Sequence, residues 1–315
     1  MRRELVRVEQ TARGGLVLVA CSGGADSLAL AAAVAFEAPR TGLSAGAVIV
    51  DHGLQEGSPA VAQRCAEQCR QLGLGPVEVV QVQMAGSGSG PEAQARDARY
   101  RAFEEVADRV GAVVVMLGHS RDDQAEQVLL GLARGSGTRS LSGMPARRGR
   151  YVRPFLGVAR TTTAAACEAA GLTAWVDPHN SDPAYARVRA RALLPLLETE
   201  LGPGTVAALA RSADLLREDA DALDDLAALA RDEIGVGQID ATALLALPRA
   251  IRARVWRLLA VEAGCPPGAL LATHVEALDT LVTGWKGQGP IDLPGRVRGS
   301  RSGGRVFVAP TGRVE

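Results

Sequence analysis

The stretch Ser22-Gly23-Gly24-Ala25-Asp26-Ser27 carries the residue types needed to hold a polyphosphate. It follows a short apolar run, Leu16–Ala20, and opens a segment rich in alanine and leucine. Gly23 and Gly24 permit backbone angles that other residues resist, and they let a ligand come close to the main chain. A helix starting at Asp26 presents unpaired N–H groups and the positive end of its dipole, with Ser22 and Asp26 as capable caps. Strand, glycine turn and helix N-terminus together make an anion site suited to phosphate. The loop has no lysine and the chain no GxxxxGK[ST], so this is not the Walker arrangement. A carboxylate beside a polyphosphate is repelled by roughly 4 kcal/mol for unit charges about 4 Å apart at a surface-like dielectric. A helix terminus offers an anion only about 0.3–1 kcal/mol. Asp26 therefore calls for a divalent cation between itself and the phosphate, and Mg²⁺ suits carboxylate-plus-phosphate ligation. The plainer alternative is a loop in which Asp26 is only a helix cap.

Other residues of chemical interest lie far along the chain. Asp122 and Asp123 follow an apolar run and open another helix. There they are either caps or acidic stations for a metal-assisted phosphate reaction. Arg96 and Arg99 share a helical face at i,i+3, either as a solvated face paired with Glu104 or Glu105, or as donors to phosphate. His52 either touches a nucleobase or finishes a turn, and His119 adjoins the acidic pair. Arg187, Arg189 and Arg191 alternate on a helix, so at most two of them can serve one site.

Three features of the chain must bring these residues together. Apolar strand patterns at Leu16–Ala20, Ala45–Val50, Val77–Val82 and Ala112–Gly118 alternate with helical patterns at Asp26–Ala38, Ser58–Leu72 and Pro91–Val110. That alternation predicts an α/β fold with a doubly wound parallel sheet, whose ligands sit beyond the carboxyl ends of the strands. One rim then collects Ser22–Ser27, Asp51–Gly53 and His119–Asp123. Tyr151–Phe155 reads as a fifth strand, and the glycines of 86–90 as a flexible entry to the helix at Pro91. Gly202-Pro203-Gly204 marks a break, which divides the chain into 1–201 and a second, mainly helical domain at 202–315. Within the latter, Gly289–Pro310 alternates as a small β element. The leucine-rich faces of this second part either pack internally or form a homodimer.

Composition limits the classes open to the chain. It has 315 residues, enough for two domains, with 47% hydrophobic residues and equal numbers of cationic and anionic side chains. No apolar run approaches the ~20 residues of a membrane span, and the N-terminus lacks the apolar core of a signal peptide. The expectation is a cytoplasmic protein with no membrane partner. Five scattered cysteines argue for reduced thiols, with Cys65 and Cys69 read as small buried hydrophobes. From Arg134 to Arg160, both included, there are seven arginines and no acid.

Taken in order, the motifs resemble a known family. SGGADS is similar to the signature of the PP-loop ATP pyrophosphatases. GHSRDDQAEQVLLGLARGSG at Gly118–Gly137, VDHGLQ at Val50–Gln55, EAQARDARYRAF, RPFL at Arg153–Leu156 and DPHNSD with the later LLP narrow the resemblance to tRNA(Ile)-lysidine synthetase. That resemblance implies a PP-loop sheet, ATP and Mg²⁺, a tRNA(Ile) with a CAU anticodon, and free L-lysine. ATP would adenylate the wobble cytidine, and the amine of lysine would then displace AMP at C2. Ser22, Gly23, Gly24, Ala25 and Ser27 would cradle the pyrophosphate, with Asp26 on the metal. Asp51 and His52 would lie near the adenosine. Asp122 and Asp123 would serve metal or lysine binding, with Asp26 and Asp123 as the metal pair. Arg99 and Arg191 would hold the adenylated RNA. Ser120, Gln127, Val188 and Gln55 depart from the family's usual residues. The resemblance, with the short second part, predicts that a longer relative's extra C-terminal tRNA-binding domain is missing, which would leave tRNA to the helical part and the arginine-rich 134–160 segment. Related tRNA thiolases commonly use CxxC pairs, and this chain has none.

Overall fold

The computed structural model describes the chain except residues 54–56, 83–90, 179–181, 236 and 313–315, and except the side chains of 91–93. The glycine entry at 86–90, Gln55 and the centre of DPHNSD lie outside the described residues. The chain divides into two compact units, Met1–Leu216 and Arg217–Glu315.

The first unit contains strands β1 (Leu16–Ala20), β2 (Ser44–Asp51), β3 (Val77–Gln81), β4 (Ala112–Leu117), β5 (Arg147–Arg148) and β6 (Tyr151–Val152). Its helices are α1 (Arg2–Thr11), α2 (Ala25–Glu37), α3 (Ser58–Gln71), α4 (Pro91–Val110), α5 (Arg121–Ala133), α6 (Thr138–Leu141), α7 (Arg160–Ala169) and α8 (Ala186–Glu200). Helix α9 (Thr205–Ile234) begins after the Gly202–Gly204 turn, and the division between units falls inside it. The sheet order is β3-β2-β1-β4-β6-β5, parallel throughout except for the final β5–β6 hairpin. The fifth strand expected over Tyr151–Phe155 is shorter: Arg153 N still donates to the Ala146 carbonyl in the β5–β6 register, but Pro154 has no N–H with which to carry the ladder further.

Burial explains why these segments are strands. Val17, Leu18 and Val19 are fully buried in the central strand, each contributing roughly 1.5–3 kcal/mol. Helices α2 and α7 pack on one face of the sheet, and Phe103, Val106 and Ala107 of α4 cover the other. The strand order reverses between β1 and β4, so the loop after β1 occupies the switch point where such sheets bind ligands. Ser22–Ser27, Asp51–Gly53 and His119–Asp123 thus stand on one edge. Gly118 lets the two loops approach closely: a Cβ there would sit 3.0 Å from the Asp26 carbonyl oxygen, tight enough that the backbone would have to give by a few tenths of an ångström.

In the second unit, β7 (Ile239–Asp240), α10 (Ala241–Ala246), α11 (Arg249–Glu262), α12 (Ala272–Thr283), β8 (Ile291–Leu293), β9 (Val297–Ser302) and β10 (Arg305–Pro310) follow the end of α9. The four strands form an antiparallel sheet in the order β7-β10-β9-β8, larger than the small element expected from the sequence. Its core centres on Trp256, fully buried, whose indole N–H donates to Asp279 beside Arg252.

Candidate active site

Helix α2 starts without a side-chain cap. Gly24 is its N-cap, after Gly23 with a φ of +82°. Neither Ser22 nor Asp26 caps it, in contrast to the sequence reading, which leaves the first-turn N–H groups aimed beyond the strand ends. Ser27 instead braces the loop from inside. Its Oγ accepts from Ser22 N at 3.1 Å, donates to the Gly24 carbonyl at 2.9 Å and lies 3.3 Å from Ser22 Oγ. Trp175 N donates to the Gly23 carbonyl at 2.9 Å and fixes the loop from its other side. The geometry is a rigid backbone cradle for an anion.

Asp26 turns from the cradle toward α7. Thr163 Oγ1 donates to Asp26 Oδ1, and Arg160 Nε stands 3.5 Å from Asp26 Oδ2. The same guanidinium reaches Asp123 Oδ1 at 2.6 Å and the fully buried Glu126 at 3.1 Å. Arg191 Nε pairs with Glu126 at 2.8 Å and its NH2 lies 3.8 Å from Asp123. Burial pushes the Asp26 carboxyl above its usual range, and the nearby Asp123 charge adds to that against the pull of Thr163 and Arg160. Burial also opposes ionisation of Asp123, but Arg160 and the Ser120 N–H together hold it below the usual range. Arg160 contacts both the Asp26 and the Asp123 carboxylates, whose oxygens are hard donors of the kind a divalent cation such as Mg²⁺ takes.

The two neighbouring aspartates part company. Asp123 Oδ2 accepts from Ser120 N and Oγ at 2.7 and 2.9 Å, fixing the start of α5. Asp122 Oδ2 accepts the backbone N–H of Arg160 at 2.8 Å, so it secures the start of α7. Sequence reasoning named Asp122 and Asp123 but missed Arg160, Thr163 and Glu126. Arg160 was visible only as one of seven arginines, although Glu126 sits one helical turn after Asp123 on the same face.

At the neighbouring strand end, buried Asp51 accepts from Gly53 N at 2.9 Å, and Arg99 Nε is 3.3 Å from His52 Nε2. Helix α4 and strand β2 thus bring the predicted Arg99 and His52 together. Burial and the Arg99 charge hold the His52 imidazole below its usual pKa. Its Nδ1 and that of His119 are buried with no partner among the described residues. His119, surrounded by Asp123, Arg153, Arg187 and Arg96, is pushed down to about 4, first by burial. Arg187 donates to Gln127 at 3.3 Å, while Arg189 turns back to the Pro183 and Ala184 carbonyls. Arg187 and Arg191 face α5 and Arg189 does not, as the alternating spacing requires.

A family model described as a PP-loop domain matches residues 1–197, and one described as the TilS substrate binding domain matches 239–307. The tRNA(Ile)-lysidine synthase of Thermobifida fusca (strain YX) is 58% identical over 299 residues, covering 94% of this chain and 92% of that relative. That of Streptomyces coelicolor is 58% identical over 301 residues, covering 93% and 85%. The chain belongs to the tRNA(Ile)-lysidine synthase family. It is a ligase, and its PP-loop domain uses ATP. Among solved structures, a U34-tRNA thiolase from Methanococcus maripaludis with its [4Fe-4S] cluster aligns at a TM-score of 0.54 and 18% identity. It covers 68% of this chain and 79% of the thiolase, a likeness of fold alone.

Proposed function

We propose that this chain joins lysine to C2 of the wobble cytidine of a CAU-anticodon tRNA(Ile), through an adenylated cytidine, releasing pyrophosphate and AMP. The observation that carries the assignment of roles is the convergence of three helix starts: the cradle before α2, Asp123 on α5 and Arg160 on α7. Gly23, Gly24, Ala25 and the edge of Ser22 hold the phosphates, and Ser27 keeps their backbone in place. Asp26 and Asp123 would hold Mg²⁺, which would neutralise charge on the phosphates as the bond to the α-phosphorus of ATP changes hands. Asp51 and His52 lie beside the adenosine. His52 and Arg99 form one contact pair, so Arg99 reaches the adenylated base from the side of α4.

The amine of free L-lysine must reach C2 unprotonated in the second step. Asp123, Glu126 and Arg191 form the charged wall beside the cradle, and they orient this second substrate and the RNA phosphate. Asp122 acts through Arg160 as a positioning residue. The adenylating part is 1–201, and the tRNA-binding part is 202–315. Arg134, Arg139, Arg147 and Arg148 are exposed on the first part and suit RNA phosphates. Arg150, Arg153 and Arg160 of the same stretch are used internally, on Glu104 and Asp108, on Pro145, and on the acid cluster. The reaction belongs in the cytoplasm, where tRNA and ATP meet. A homodimer would use the exposed Leu226 and Leu229 of α9, and sedimentation tests it.

Trapping the intermediate tests the roles. With labelled ATP and tRNA but no lysine, the wild-type chain should transfer AMP to the tRNA. Asp26→Asn should bind the tRNA and transfer none. Transfer at the wild-type rate by that variant would remove Asp26 from the reaction.

A further inference from the structure

Three of the five cysteines meet directly behind the phosphate cradle. Cys21 follows β1 and precedes Ser22, and Cys65 and Cys69 lie one turn apart on α3. Their sulfur atoms all fall within 4.8 Å of one another, with Cys21 and Cys65 Sγ 3.3 Å apart. Their exposures are 3%, 2% and 0%, so no thiol faces the substrates. The sequence showed only the Cys65–Cys69 spacing, because Cys21 arrives from a different element.

We propose that Cys21, Cys65 and Cys69 bind one thiophilic divalent ion, Zn²⁺ in the cell, as a structural site beneath the PP-loop. Zinc–sulfur bonds of about 2.3 Å at tetrahedral angles need sulfurs about 3.8 Å apart, about 0.5 Å more than the 3.3 Å between Cys21 and Cys65 and inside the 4.8 Å that spans all three. Binding forms three sulfur–metal bonds, releases the thiol protons to solvent and transfers no electrons. Hydrogen bonding within the trio draws the Cys21 thiol below its usual range, and the same contacts with burial push Cys65 and Cys69 above theirs. The site touches the cradle at two points. A Cβ at Gly23 would lie 3.6 Å from Cys65 Cβ, and Ser27 Oγ, the brace of the loop, is 3.6 Å from Cys21 Sγ. An ion held there would stiffen the cradle from behind.

The test uses the full chain produced in zinc-supplemented medium and purified under reducing conditions with excess Mg²⁺. Metal analysis should find one zinc per chain, and X-ray absorption at the zinc edge should show three sulfur neighbours at about 2.3 Å. Cys69→Ala should weaken zinc binding at least about tenfold, since even an outer-shell partner carries that much at metal sites. Cys265→Ala, in the second unit, should leave binding unchanged. A zinc shell of oxygen and nitrogen, as at the Asp26–Asp123 carboxylates, overturns the proposal. So do full retention in Cys69→Ala, a Cys21–Cys65 disulfide in the reduced preparation, or iron with inorganic sulfide in place of zinc. If Cys69→Ala does not fold, the wild-type absorption spectrum decides alone.

Discussion

Arg160 donates to Asp123 Oδ1 over 2.6 Å while standing 3.5 Å from Asp26, so one guanidinium ties the first turn of α5 to the first turn of α2. Arg160 itself opens α7, where the helix dipole disfavours a cation, and three carboxylates offset that cost. The same acids repel one another without it. Arg160→Gln should therefore destabilise the chain by about 3 kcal/mol, the usual loss when a buried ion pair is broken from one side. Mg²⁺ should recover more stability in that variant than in wild type, because a cation again separates Asp26 and Asp123. Thermal melts with and without Mg²⁺ measure both effects. An equal Mg²⁺ response in the two chains would count against metal binding by this pair.

Asp122 and Asp123 are adjacent in sequence and differ in partner. Asp122→Asn keeps an acceptor for the Arg160 N–H and should change the adenylation rate by less than about threefold, within the ordinary effect of a surface-like change. Asp123→Asn removes a charge shared by Arg160 and Arg191 and should lower the rate by about a hundredfold or more, a loss of about 2.7 kcal/mol. Single-turnover AMP transfer distinguishes them. Equal losses would return both residues to one role.

The His119 imidazole is held at about 4 against an ordinary value of 6.5. The unfolded chain therefore binds that proton more tightly. Stability from this residue is complete above about pH 6.5 and is lost as pH falls toward 4, by about 3 kcal/mol in all. Asp26, shifted upward, works in the opposite sense. The difference in urea stability between wild type and His119→Asn isolates the histidine, and it should shrink as the pH is lowered from 7 to 4. A difference independent of pH would mean that His119 is not buried neutral.

Gly23→Ala places a side chain at a φ of +82°, a left-handed conformation that costs an L residue roughly 1–2 kcal/mol. The loop can escape that cost only by moving the cradle. ATP affinity should fall about tenfold, measured by titration, while tRNA binding is unchanged. An unchanged ATP affinity would place the phosphates elsewhere.

Much of this site is legible in the order of residues alone. Glycine after an apolar run, and acids at the start of the next helix, are local signals, and the strand–helix alternation alone brings β1, β2 and β4 to one rim. What escapes is long-range pairing. Arg160 and Glu126 are 34 residues apart, and neither has a pattern around it that names the other. Cys21 joins Cys65 across 44 residues for the same reason. Strand β7 has two residues, too few to alternate, and exists because β10 offers it a partner. The Ser22 and Asp26 side chains are plausible caps by type, but Thr163 and Ser27 compete for them more strongly.

The most direct measurement is incorporation of labelled lysine by the purified chain, given ATP, Mg²⁺ and either a CAU-anticodon tRNA(Ile) transcript or the methionine tRNA. The expected result is one lysine per tRNA(Ile), with one AMP and one pyrophosphate released, no label in the methionine tRNA, and none with Asp26→Asn. Label entering tRNA(Ile) without AMP release, or entering it at full rate with Asp26→Asn, would contradict the roles given to the cradle and its aspartate.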